Sequence, residues 1–163
     1  INFGVPPLLF AQVLYGQALY SSSVIIGFYW IMVIFLLIAG YYLLYLAGSR
    51  ADKGAKWWWM GVISLLLLAY IARIYTTNMT LMLTPDKWLE LYRSSGGLGH
   101  VMPSGDPTVL PRFLFMTVGS LGLAGIGIAF LGAFFAHRDD VKSYLIRKGS
   151  LIGAIFVAGG AIC

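Results

Sequence analysis

Charged side chains are absent from an opening stretch too long for a single crossing of a bilayer. Between Ile1 and Ser49 there is no Asp, Glu, Lys, Arg or His. One straight helix of that length would measure roughly 73 Å against ~30 Å of hydrocarbon. The pattern predicts that the stretch folds back inside lipid, with Ser21-Ser22-Ser23 as the reversal. A first apolar segment covers 1–20, and its Pro6-Pro7 pair predicts a break or a re-entrant start, because proline lacks an amide donor. A second runs from Val24 to Leu46, where Tyr41, Tyr42 and Tyr45 fit an interfacial aromatic belt.

Polar interruptions mark out the rest. A short loop at 48–56 carries Arg50, Lys53 and Lys56 against Asp52, and Trp57-Trp58-Trp59 follows as a second aromatic anchor. The third apolar segment extends from Trp57 to Tyr75 and turns polar through Thr76, Thr77, Asn78 and Thr80. Thr84 to Arg93 reads as a short amphipathic helix lying on the membrane, with Thr84 as N-cap, Pro85 in the first turn and Asp86 at the positive end of the dipole. A Gly/Pro/Ser-rich loop leads to a fourth segment at Pro111 to Ala136, a basic loop at 137–148, and a fifth segment from Gly149 to Cys163. The expected fold is all-α: a multi-spanning transmembrane helix bundle of about five spans. It forms one domain over 1–163, with an outer interfacial helix and loop at 84–110. A start on Ile1 and an end on Cys163, both within apolar runs, predict a portion of a longer chain.

Composition agrees. Hydrophobic residues make up 60% and charged residues 10% of the chain, and the mean hydropathy is +0.84. A soluble domain carries nearer a quarter charged residues. The net charge of +5 does not point to nucleic acid, because the cations sit in loops between apolar spans. Arg50, Lys53, Lys56, Arg138, Lys142, Arg147 and Lys148 fall in 48–56 and 137–148, whereas Lys87, Arg93 and Arg112 lie on the other side. The positive-inside rule then predicts an inner-membrane protein with those two loops cytoplasmic and 76–110 facing outward. Cys163 stands alone, which excludes an internal disulfide and a CxxCH haem attachment.

Few residues carry chemistry. Arg73, inside the third span, faces either a bundle interior or snorkels to the interface, with Tyr70, Thr76 and Thr77 at helical contact spacing. Gln12, Tyr15, Gln17 and Tyr20 need hydrogen-bond partners in lipid, supplied by other helices or by a polar headgroup such as a quinone carbonyl. His137, at the end of the fourth span, either ligates haem or caps a helix terminus. His100 and Met102 lie two apart in the outer loop, too close in sequence to serve easily as opposite axial ligands of one haem. Asn78-Met79-Thr80 matches a glycosylation acceptor pattern. Gly125, Ala129 and Ala133, and the GxxxG of Gly149 to Gly153, predict helix faces that pack closely, within the chain or against other membrane subunits.

Asn2-Phe3-Gly4-Val5, with Gln12, Gly16, Tyr20 and Ser21, resembles the second-helix region of subunit I of cytochrome bd-type quinol oxidases, and is similar to bacterial membrane proteins encoded near respiratory cytochromes. The resemblance implies an all-helical inner-membrane protein associated with haem b and quinol. That family has a glutamate near the start of the next helix, and this chain has none before Glu90. Only Met32, Met60 and Met116 stand within spans as ligand types, so haem ligands would come from other segments or subunits. No catalytic residue is carried over. The expectations are therefore a membrane subunit of a bacterial respiratory or electron-transfer complex housing a haem or quinone, a scaffold whose 76–110 region docks a periplasmic protein, or a transporter or channel.

Overall fold

The computed structural model describes residues 5–51, 57–103 and 105–161. Asn2, Phe3 and Gly4, the loop residues Asp52, Lys53 and Lys56, and Cys163 lie outside the described residues. The described chain is helical throughout: α1 (Val5–Ile25), α2 (Gly27–Arg50), α3 (Trp58–Met82), a 3-10 turn (Pro85–Lys87), α4 (Trp88–Ser94), α5 (Val109–Phe135) and α6 (Asp139–Gly160). Among the described residues, α2, α3 and α5 are long and apolar enough to cross a membrane. The exposed apolar side chains of α2 and α5, such as Phe35, Ile38, Phe130 and Phe134, suit lipid as solvent. The protein is therefore a membrane protein. Two compact units divide it, residues 1–109 and 110–163.

In the first unit, α2 and α3 form the main hairpin. Ser64 Oγ donates to Gly40 O at 2.7 Å, and the Trp30 and Tyr75 rings pack at a tilt of 52°, 4.9 Å between centroids. Ile25, Ile26, Val33, Ile71, Ile74 and Leu81 make the core. The expected reversal at Ser21-Ser22-Ser23 does not occur, since all three lie within α1. Ser22 shows why they are tolerated there: its hydroxyl donates to Leu19 O at 3.0 Å.

Only Ile26 separates α1 from α2, and helical bonding persists around it. The Ile26 amide donates to Ser22 O at 3.4 Å and the Trp30 amide to Ile26 O at 3.0 Å. A helical hairpin needs a loop of about two to five residues. The chain bends here, and the Ser23 end of α1 continues the antiparallel course of α2 along α3. Nor do the prolines interrupt the segment. Pro6 and Pro7 occupy the first turn of α1, where the missing donors are unpaired in any helix. The irregularity sits instead at Tyr15, with φ −127° and ψ 26°.

The second unit is a helix pair. A Cβ at Gly149 would stand 2.5 Å from the Ala129 amide nitrogen, and one at Gly125 would fall on the Gly153 backbone. Gly122 faces Val157 and Gly132 faces Leu145 in the same way. These pairings step in opposite directions along the two helices, so α5 and α6 run antiparallel with their backbones in contact. The small-residue faces read from sequence meet each other, with Gly132 completing the seam. The stretch expected as a second basic loop is largely helical, because α6 begins at Asp139 with Asp139 and Asp140 favouring its positive end. α5 also starts earlier than Pro111. Asp106 Oδ1 accepts the Thr108 amide at 3.0 Å and its hydroxyl at 2.7 Å, and Pro107 provides the fixed φ of a first turn.

Candidate functional site

The polar end of α3 is the most deeply buried part of the first unit. Thr76, Thr77, Asn78 and Thr80 are all buried. Threonine is tolerated there because each hydroxyl donates one turn back: Thr76 to Ala72 O at 2.8 Å, Thr77 to Arg73 O and Thr80 to Thr76 O, both at 2.9 Å. Asn78 donates to Ser23 Oγ at 3.1 Å and so ties α3 to α1. Its burial at 0% exposure removes the Asn78-Met79-Thr80 acceptor pattern from any modifying enzyme. Arg73 is half-buried and donates to Thr77 Oγ1 at 3.2 Å, folding along its own helix toward the polar end.

Over this end lies α4. The Trp88 indole donates to Leu81 O at 2.7 Å, satisfying a carbonyl in the last turn of α3. Thr84 does not cap the 3-10 turn through its side chain; its hydroxyl donates back to Thr80 O and Leu81 O at 3.4 Å. Trp88 also stands between two grooves against α1. One, of about 380 Å³, is lined by Leu14, Tyr15, Gly16, Gln17, Ala18 and Trp88. The other, of about 370 Å³, is walled by Tyr20, Ser21, Val24, Trp88, Leu89 and Tyr92. The irregular backbone at Tyr15 thus falls within a groove lined by a tyrosine, a glutamine and a tryptophan.

The structure unites part of the residue set singled out from sequence. Tyr15 and Gln17 share one groove, and Tyr20 lies on its neighbour. Gln12 is exposed on the preceding turn of α1. Arg73 joins Thr77 at the polar end of α3. His137 belongs to the second unit, exposed just beyond α5, with Nδ1 3.0 Å from Phe135 O. His100 is exposed in the loop after α4, whereas Met102 packs on the hydrophobic core.

That loop is held at two points. The Phe28 amide, freed from helical pairing by the bend at Ile26, donates to Gly99 O at 3.1 Å. Gly99 has φ +66°, and a Cβ on it would lie 2.9 Å from the Gly27 nitrogen, so glycine is required there. Lys87 reaches Asp106 at 3.5 Å. The Thr108 hydroxyl and amide, with Lys87 adding to them, hold the Asp106 carboxyl below its ordinary value.

Sequence reasoning missed Trp88 as the wall common to both grooves and Asp106 as the anchor of the loop. The Asp106-Pro107-Thr108 capping pattern offered a signal for the second. Comparisons with protein-family models, with curated proteins and with solved structures gave no match.

Proposed function

We propose that this chain is an integral membrane subunit of a bacterial respiratory or electron-transfer complex, and that its α1–α4 groove receives a quinone headgroup. The carrying observation is the position of Tyr15 and Gln17 on one groove against Trp88. A phenol and an amide donate to quinone carbonyls, and an indole face stacks on a flat ring. A groove of this size, with apolar and polar lining side by side, suits a small ligand carrying polar groups. The isoprenoid tail would leave along the exposed apolar surface of Val13 and Leu14.

In this reading α2, α3 and α5 cross the inner membrane, and the apolar part of α6 beyond Lys148 enters it beside α5. α1, bent away from α2, lies at the outer surface with α4. Of the five expected crossings, α2, α3 and α5 are long and apolar enough among the described residues, and at α1 the reversal that would make a separate span is replaced by a bend. The arginine and lysine bias keeps 48–56 and 137–148 cytoplasmic and 76–110 outward.

The test is binding of a short-chain quinone to the native complex in nanodiscs. Tyr15→Phe and Gln17→Ala should each weaken binding about three- to tenfold, corresponding to one lost hydrogen bond. Unchanged affinity in the double variant would remove the quinone from this groove.

A further inference from the structure

Arg147 and Lys148, expected in a loop, stand on α6, and the seam with α5 sets their depth. A Cβ at Gly132 would meet Leu145, and one at Gly149 would meet Ala129. The two cations are therefore level with residues 129–132 of the antiparallel α5. From that level α5 runs on to Phe135, about five residues or roughly 7 Å further. Phe134 and Phe135, in its last turn, are exposed. A membrane surface that holds these rings at the interface leaves Arg147 and Lys148 in the boundary between headgroups and acyl chains.

Both cations face away from the seam. Gly149 and Gly153 turn toward α5, and helical spacing puts Tyr144, Arg147, Lys148, Leu151 and Ile155 on the opposite face, where all five are exposed. This face passes from a phenol and two cations to hydrocarbon within one turn. Among the described residues, the ion pairs are Lys87 with Asp106 and Arg138 with Asp140, so no carboxylate pairs with Arg147 or Lys148. Asp140, one turn before Tyr144, is held by Arg138 at 2.9 Å.

We propose that this face binds one phospholipid whose headgroup carries a net negative charge. The inference rests on α6 entering the bilayer beside α5 and is independent of the quinone groove. A cation at acyl depth is costly without a counter-charge. Helical side chains lean toward the N-terminus, which here is toward the membrane surface, so both cations reach the phosphate level. The guanidinium fork matches two phosphate oxygens, Lys148 adds a point charge, and the Tyr144 hydroxyl adds a donor. One acyl chain then lies along Leu151 and Ile155. A zwitterionic lipid brings its own ammonium to the same place and gains less.

The full chain, purified in mild detergent, would be titrated with phosphatidylglycerol and with phosphatidylethanolamine of the same acyl chains, and bound lipid counted by native mass spectrometry. One phosphatidylglycerol, retained in preference to phosphatidylethanolamine, is expected. Both cations are exposed, so Arg147→Gln combined with Lys148→Gln should leave the seam intact. The pair should weaken this binding roughly tenfold or more, and Arg147→Lys alone should lose far less. Arg93→Gln removes an exposed cation from α4, in the first unit, and should change nothing. Equal retention of the two lipids, an affinity unmoved by the double variant, or an equal loss in Arg93→Gln would overturn the site. In a Cys163→Ser background, Ile155→Cys should resist a water-soluble maleimide in vesicles. Rapid labelling would take α6 out of the bilayer and the lipid site with it, whatever the result of quinone binding.

Discussion

Asn78 and Ser23 stand 55 positions apart and meet through a 3.1 Å hydrogen bond at the buried end of α3. Among the described residues, the Asn78 carboxamide oxygen is buried without a partner. The pair therefore acts through geometry: one satisfied donor fixes the register of α1 on α3. Asn78→Ala should destabilise the protein by about 1 kcal/mol, as should Ser23→Ala. The double variant should cost little more than either alone, because both remove the same contact. Unfolding by denaturing detergent in mixed micelles measures all three.

The seam of α5 and α6 makes a second prediction. Leucine at Gly125 would drive its side chain into the Gly153 backbone, which cannot yield as a flexible side chain would. Gly125→Leu should cost about 1–3 kcal/mol or more. Gly127, on the same helix, has open space around it, so Gly127→Leu should be close to neutral. Unfolding by denaturing detergent in mixed micelles would measure both variants.

Much of this fold was legible because lipid imposes a strong pattern on sequence. Uncharged runs identify α2, α3 and α5, and small residues every four positions identify the seam. The polar run after Tyr75 marked the end of a span without revealing its burial. Thr76, Thr77 and Thr80 can be buried because each satisfies its own hydroxyl one turn back. The turn assigned to Ser21-Ser22-Ser23 failed for the same reason. A serine that bonds within its helix carries no turn signal, and the bend belongs to Ile26, an apolar residue that composition would never single out. Tyr15 and Gln17 were legible as polar residues in lipid, but the groove they share depends on Trp88, over seventy positions away.

Loop substitutions separate backbone strain from steric conflict. Gly96 has φ +59° with open space around it, whereas Gly99 has φ +66° and abuts the Gly27 backbone. Gly96→Ala should cost about 1 kcal/mol for left-handed geometry alone. Gly99→Ala should cost more and release the loop from α2. Hydrogen exchange at the Phe28 amide reads the difference, rising sharply only in the Gly99 variant.

Acid should loosen the same region through Asp106. Its carboxyl titrates below its ordinary value in the folded protein, so its ionised form stabilises the fold. That contribution is complete above about pH 3.8 and fades as pH falls through the lower folded value. Thr108→Val, which removes the largest cause of the depression, should move the loss to higher pH. Limited proteolysis of 95–108 across an acid series would show it: the variant should be cleaved faster than wild type above about pH 4, and the two profiles should converge as the carboxyl is protonated.

The hydrogen bond from Phe28 to Gly99 has a consequence for biogenesis. The Phe28 amide waits for a carbonyl made 71 residues later, on a segment that follows the whole of α3. During synthesis the joint at Ile26 stays without this bond until that segment has emerged. Maturation of this face of the protein is therefore tied to delivery of the Gly99 loop, and a ribosome stalled before Gly99 would leave an insertion intermediate with the Ile26 joint open.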